Sequence, residues 1–252
     1  MTSITREDLT QFINDRLNPD SFKDYCPNGL QVEGRKDIRK VICGVTANQA
    51  LLNEAVVAEA DAILVHHGWF WRGESGTVTG IKRNRLKTLL NHDINLYAYH
   101  LPLDAHPELG NNIGLARAAG WELTRVFGDQ GLGCLGRPAA GATVTSITVD
   151  LEKAVGRTPL VLAQSNDQPI RSLAWCTGAA QSYFEVAIGE GVDGFVTGEI
   201  SEPMVHLARE TGVAYFAAGH HATERFGVQL LGNAIANQFG IEVYYHEVDS
   251  PI

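Results

Sequence analysis

What this 252-residue chain lacks removes several classes of function. No apolar run approaches the ~18 residues that a membrane-spanning helix requires, so insertion into a bilayer is not expected. No apolar h-region follows Met1, so export is not expected and a cytoplasmic location is. Cysteine is scarce: Cys26, Cys43, Cys134 and Cys176 stand apart, with no C-x-x-C pair. That usage fits a reducing compartment and argues against a zinc ribbon. Positive charge is in deficit, with 20 Lys and Arg against 29 Asp and Glu and a net charge of −9. A broad nucleic-acid-binding surface is therefore not supported. The nucleophile elbow G-x-S-x-G and the P-loop G-x-x-x-x-G-K-[ST] are both missing, so covalent serine chemistry and P-loop phosphoryl transfer have no support.

What is present is an ordinary globular composition, 44% hydrophobic and 19% charged, long enough to bury a proper core in one domain or two. Its most informative feature is a pair of stretches that read like copies. In the first half, Ala60–Val65 runs into His66-His67-Gly68, and Ile94–Tyr99 then runs into His100-x-x-x-Asp104. In the second half, Val192–Thr197 runs into Gly198-Glu199, and Val213–Gly219 then runs into His220-His221-x-x-Glu224. Each half offers an apolar run ending in polar groups, then a second ending in His-x-x-x-carboxylate. Two such units supply the imidazoles and carboxylates that a two-metal site requires. The register extends upstream, where Val41–Ala50 parallels Ser172–Gln181. Three aligned blocks in one order point to an internally duplicated α/β unit. The alternative is that strand, turn and helix recur at similar spacing in any α/β protein.

The coarse pattern agrees with an α/β fold. Thr5-Arg6-Glu7-Asp8 resembles a capping box, followed by a stripe of Leu9, Phe12, Ile13 and Leu17. Buried strands are expected at Val41–Val45, Ile63–Val65 and Ile94–Tyr99. Helices are expected at Ala50–Ala60, near Arg83–Asn91, and at Asn111–Ala119, where Gly120 supplies a stop. Alternating strands and helices imply mostly parallel pairing. Residues 127–170 break the rhythm, with a helix expected around Thr145–Val155. The expected division is a first α/β unit at 1–126, a connecting segment at 127–170 and a second unit at 171–252. In that second unit a long helix, Ala222–Asn237, and a last strand could pack on the first unit.

Four motifs carry competing readings. Gly131-Leu132-Gly133-Cys134-Leu135-Gly136 matches the dinucleotide fingerprint G-x-G-x-x-G, but Arg137-Pro138 stands where the helix should run, so a glycine-rich hairpin is the better reading. His66-His67 follows the carboxyl end of a strand, the edge where ligands collect in α/β sheets. A lone histidine there would be an ordinary strand-end residue; a pair matched elsewhere in the chain is harder to dismiss. His220 and Glu224 are four apart and share a helix face, so they can share a metal. An acidic residue in a first helical turn is also stabilising on its own account, and for Glu224 the two readings are even. Trp69-Phe70-Trp71, followed by Lys82 and Arg83, suits a nucleotide, with rings to stack a base and cations to hold phosphate. The same residues suit a core or subunit interface and a solvated helix start.

Together, Val65-His66-His67-Gly68, His100-Leu101-Pro102-Leu103-Asp104, Thr197-Gly198-Glu199 and Gly219-His220-His221-Ala222-Thr223-Glu224 resemble the YbgI family of dinuclear-metal proteins, also called type 2 GTP cyclohydrolase-like. Tyr25–Val32 resembles the family's opening signature. The resemblance implies two interlinked α/β domains with two divalent metals between them, and a ring-shaped homohexamer, a toroid. Carried over by motif, it implies that His66, His67, Asp104, His220 and Glu224 are ligands, with Glu224 bridging. His221 stands where relatives often have Tyr and is not counted. Many relatives have His-His-Pro where this chain has His-His-Gly, a departure that touches no ligand. The family name implies opening of a guanine ring on GTP.

Two functions follow as expectations. One is a metal-dependent hydrolase acting on a small nucleotide-like substrate, damaged nucleotides included, with zinc, iron, manganese, nickel or cobalt as the ion. In it Glu199 and His100 transfer protons or orient ligands, and Trp69, Trp71, Lys82 and Arg83 bind substrate. The other is a non-enzymatic metal-binding scaffold or regulatory protein. An open coordination position separates them, since a structural site is closed. Five ligands cannot saturate two metals, which favours catalysis.

Overall fold

The computed structural model describes residues 2–252. In chain order the strands are β1 (Ile4–Thr5), β2 (Gly29–Val32), β3 (Asp37–Ile38), β4 (Lys40–Thr46), β5 (Ala62–His67), β6 (Asn95–Ala98), β7 (Glu122–Phe127), β8 (Gly133–Arg137), β9 (Leu160–Leu162), β10 (Leu173–Trp175), β11 (Gly194–Thr197), β12 (Ala214–Ala217) and β13 (Glu242–Tyr245). With their intervening helices they form a mixed α/β protein of two compact units. The first takes in the chain up to Leu103 together with Gly227–Asp249; the second is Asp104–Phe226 with Ser250–Ile252.

The first unit is built on a five-stranded sheet of order β13-β4-β5-β6-β2, parallel from β13 to β6 with β2 antiparallel at the edge. A sheet covered on both faces reads as continuous apolar runs rather than alternation, which is why Val41–Val45 and Ala62–Val65 are buried throughout. Ile42, Ile63, Val65, Leu96 and Ala98 face one cluster, packed with Leu51, Leu52 and Ala55 from helix Gln49–Val57. Helix Arg6–Leu17 starts as its sequence suggests: Thr5 Oγ1 accepts from the Asp8 amide at 3.1 Å, and Leu9, Ile13 and Leu17 are its buried stripe.

The second unit is a six-stranded sheet of order β7-β8-β10-β11-β12-β9. β10, β11 and β12 are parallel, with antiparallel neighbours on both sides. Here the period of two is visible in the core. Leu173, Trp175, Val196, Ala214 and Phe216 enter one cluster, and the intervening Ala174, Phe195, Tyr215 and Ala217 enter the other. The G-x-G-x-x-G stretch lies in the β7–β8 hairpin, with Phe127 opposite Gly133. Gly136 is required there, because a Cβ would sit 1.9 Å from the Glu122 carbonyl oxygen.

Residues 104–170 group with the second unit, where the sequence suggested boundaries at 126 and 170. The reason is pairing: β8 bonds to β10 and β9 to β12, so the segment completes that sheet. The long C-terminal helix also differs from expectation. It is a short turn, His220–Thr223, and a helix, Arg225–Phe239, with Glu224 between them at φ −106° and ψ 12°.

The duplication shows in matching hydrogen bonds. Asp61 Oδ2 accepts from the amides of Arg39 and Lys40, one strand away, at 2.8 and 3.1 Å. Asp193 Oδ2 accepts from the amides of Arg171 and Ser172 at 2.7 and 2.9 Å. The two carboxylates tie the first strand of each repeat to the second at equivalent points.

Candidate metal centre

In the first unit, the carboxyl ends of β5 and β6 carry His66, His67 and His100, and one nitrogen of each lies within 4.8 Å of the others. The rings of His66 and His67 are 4.7 Å apart, and His100 lies 5.1 Å from His66 and 5.7 Å from His67. His66 is fully buried, and its Nδ1 is 3.0 Å from the Tyr99 carbonyl oxygen. A carbonyl can only accept, so Nδ1 carries the proton and Nε2 keeps its lone pair. His67 Nδ1 lies 3.3 Å from Thr46 Oγ1. His100 Nδ1 is bonded to Asp24 Oδ1 at 2.7 Å, and the His100 amide donates to Asn28 Oδ1 at 2.7 Å. Burial pushes the Asp24 carboxyl up, but the hydrogen bond and charge of His100, with bonds from Asn28 and the Tyr25 amide, hold it down at about 2.

The second unit carries Asp104, Glu199, His220 and Glu224. His220 Nε2 is 3.1 Å from Glu224 Oε2, and its Nδ1 is 2.7 Å from Glu199 Oε1. Ligand oxygens of Asp104 and Glu224 lie within 4.8 Å of each other. Burial lowers the His220 pKa, but Glu224 and Glu199 together lift it to about 9. Asp104 Oδ1 accepts from Asn111 Nδ2 at 2.8 Å and from Thr177 Oγ1 at 3.3 Å. Thr46 and Thr177 hold the same place in the two repeats, at the end of each first strand, and each touches a candidate ligand. Gly178 follows at φ +73°, where a Cβ would fall 2.0 Å from Glu224 Oε1. The site needs glycine there for both the backbone angle and the space.

These donors fit a divalent metal on their own chemistry. They are imidazoles and carboxylates, the donor types that zinc, manganese, iron and cobalt accept. Three of the imidazoles have Nδ1 facing an oxygen acceptor, the arrangement typical of metal-ligating histidine, and at His66, where that oxygen is a carbonyl, Nε2 is the donor atom. All four cysteines are buried free thiols, and burial pushes Cys26, Cys43 and Cys134 up to about 12, so they remain protonated.

The residues expected to contact substrate separate. Trp71 stands beside the histidines, 5.0 Å from the His100 ring and 6.0 Å from His67. Trp69 is a core residue, 5% exposed, with its indole N–H donated to the Ala47 carbonyl at 2.8 Å. Lys82 is engaged by the loop that carries these aromatics. Its ammonium donates to the Ser75 carbonyl, lies 3.6 Å from Glu74, and sits 4.9 Å from the Phe70 ring centroid. Arg83 reaches its neighbour Asn84. Asp24, Asn28, Asn111, Thr177 and Gly178 were not singled out from sequence. Asn28 was visible only within the Tyr25–Val32 signature, Thr177 and Gly178 only as aligned repeat positions, and Asp24 gave no signal.

Comparison with known proteins shows the family. Residues 4–251 match the model of the Duf34/NIF3 (NGG1p interacting factor 3) family. A protein of Yersinia pestis named GTP cyclohydrolase 1 type 2 homolog is 51% identical over 245 residues, 97% of this chain and 98% of its own. A Pseudomonas aeruginosa protein of the same name is 51% identical over 238 residues, covering 93% and 94%. Among solved structures, protein ybgI, described as of unknown function, superposes with a TM-score of 0.95 at 45% identity, over 99% of this chain and all of that one. TTHA1606 from Thermus thermophilus gives 0.89 at 34% identity, over 99% and 100%. With nearly the whole length matched in sequence and in fold, the chain belongs to the Duf34/NIF3 family.

Proposed function

We propose that the protein is a dinuclear-metal-dependent hydrolase acting on a small nucleotide-like substrate, damaged nucleotides included. The observation that carries the reading is the grouping of imidazoles and carboxylates at the strand ends of each unit, with His66 and His220 each held at Nδ1 by an oxygen as metal-ligating histidines are. His66 and His67 from the first unit, with Asp104, His220 and Glu224 from the second, would hold two divalent ions. Bound there, such ions supply Lewis acidity and lower the pKa of a water. Glu199 orients His220 through Nδ1, and His100 is the group to move a proton. Trp71 offers a face for a base to stack on, and Lys82 and Arg83 supply cations for phosphate. The GTP cyclohydrolase-like names of its relatives support a nucleotide-like substrate.

The reading includes a ring of six subunits, taken from the family resemblance, for which light scattering is the measurement. It includes the cytoplasm, where four free thiols stay reduced. Among the described residues no helix is long and apolar enough to cross a membrane. The test is elemental analysis of purified protein, followed by a hydrolysis screen over nucleotides, pterins and related heterocycles with and without chelator. About two divalent ions per chain are expected from the donor set, with activity lost on chelation and restored by metal. Metal-loaded protein inert across the screen would instead point to a non-enzymatic scaffold.

A further inference from the structure

The hydrogen bonds around Asp24 go beyond what holding a turn requires. Its side chain is only 3% exposed. Oδ1 accepts from His100 Nδ1 at 2.7 Å and from the Tyr25 amide at 2.6 Å. Oδ2 accepts from Asn28 Nδ2 at 2.9 Å and from the Leu101 amide at 3.0 Å. The carboxylate's acceptor positions are thus all taken by donors that bracket His100 on both sides. Asn28 completes the clamp, because its Oδ1 accepts the His100 amide at 2.7 Å while its amide group faces Asp24. The same segment ties down the loop bearing Trp71: Arg72 Nη2 donates to the Asp24 carbonyl at 2.8 Å and the Arg72 amide to the Tyr25 carbonyl at 2.7 Å.

We infer that Asp24 is the positioning residue for His100: it holds the imidazole in the tautomer protonated at Nδ1, leaving Nε2 as the ring's proton acceptor in the cluster with His66 and His67. This rests on the reading of His100 as the proton-transfer group. A carboxylate bonded to one ring nitrogen selects the tautomer of the other, as supporting carboxylates do for catalytic and metal-ligating histidines.

The geometry makes the conservative substitution Asp24→Asn diagnostic. An amide has one acceptor oxygen and one donor nitrogen. Turning the NH₂ towards Asn28 and Leu101 would set it against two donors, neither of which can be reversed: one is a backbone amide, and Asn28 is fixed by its bond from the His100 amide. Turning it towards His100 forfeits only the Tyr25 bond. In its favoured orientation the new amide therefore donates to His100 Nδ1 and forces the proton onto Nε2, the wrong nitrogen for accepting.

The experiment is ¹⁵N NMR of the imidazole nitrogens at a pH well above the ordinary histidine range, on wild type and Asp24→Asn. The His100 signal is assigned by its loss in His100→Gln. The inference expects Nδ1–H in wild type and Nε2–H in Asp24→Asn, with cooperative thermal unfolding retained at a somewhat lower midpoint because the Tyr25 bond is lost. Where the protein turns over a substrate, kcat should fall roughly 10²-fold or more with KM nearly unchanged, and Asp24→Glu should restore part of it. Wild-type His100 found as Nε2–H, or as a tautomer mixture, would overturn the inference even if Asp24→Asn does not fold. An unchanged tautomer in folded Asp24→Asn would also overturn it. Because the tautomer is read without substrate, a failed hydrolysis screen bears on the hydrolase reading alone.

Discussion

The two units present histidine at the end of a parallel strand by different means. In the first, His66 is fully buried and its Nδ1 is held by a backbone carbonyl at 3.0 Å. In the second, His220 follows β12 and Gly219, its side chain is 26% exposed, and its Nδ1 is held by the Glu199 carboxylate at 2.7 Å. A carbonyl fixes the tautomer and adds no charge. A carboxylate also stabilises the imidazolium, and with Glu224 it lifts His220 to about 9. Duplication preserved the strand scaffold and the Asp61 and Asp193 ties while the donors at the strand ends diverged. The divergence lies at the first strand end of each pair, where His66-His67 stands against Gly198-Glu199; at the second, His100 and His220 both keep Nδ1 on a carboxylate at 2.7 Å.

The largest expected effect comes from removing one donor of each unit in turn. His67→Ala removes a donor from the first unit and Glu224→Ala one from the second. Each should sharply lower the metal recovered by elemental analysis while circular dichroism stays unchanged. If one variant loses all metal and the other none, a single unit suffices for binding and the contribution of both is refuted.

The neighbouring tryptophans sharpen the comparison within the first unit. Trp69→Ala empties a core position and should cost about 3–5 kcal/mol in denaturant unfolding. Trp71→Ala should leave stability nearly intact and weaken binding of a nucleotide probe by about 1–3 kcal/mol. Equal losses of stability in both would show that Trp71 is packing rather than a stacking surface.

Gly178→Ala tests the second unit alone. Its Cβ would fall 2.0 Å from Glu224 Oε1, so the carboxylate must move. Metal affinity measured by competition with a chelator should drop roughly 10–100-fold, the range for disturbed support around a ligand. Unchanged affinity would mean that Glu224 does not bind metal from its present position.

The smallest effects come from the two ties. Asp61→Ala strands two backbone amides and deprives Arg35 of its partner at 2.9 Å, in a side chain that is 2% exposed. It should cost about 1–3 kcal/mol or more. Asp193→Ala strands the matching amides in a more open place and should cost less. Thermal unfolding of the two variants side by side would reverse the comparison if Asp193→Ala proved the worse.

Much of the fold was legible in the chain. Continuous apolar runs marked the buried parallel strands, Gly120 marked a helix end, and Arg137-Pro138 excluded a dinucleotide fold. The errors came where tertiary pairing decides. β7 and β8 lie outside the repeat, yet β8 bonds to β10, so the segment read as a connector completes a sheet. The helix expected at Ala222–Asn237 is interrupted at Glu224, although the His220 and Glu224 side chains still meet at 3.1 Å.

By itself, the sequence determined the α/β class, the duplicated register and the identity of the donor-type residues, because apolar periodicity and residue chemistry are local properties. Only the tertiary structure decided that Trp69 is core while Trp71 flanks the histidines, that Gly178 leaves room for Glu224, and that Asp24 clamps His100. Each of these depends on which atoms long stretches of chain bring within hydrogen-bond or van der Waals distance, and a residue 76 positions away leaves no mark on the local pattern.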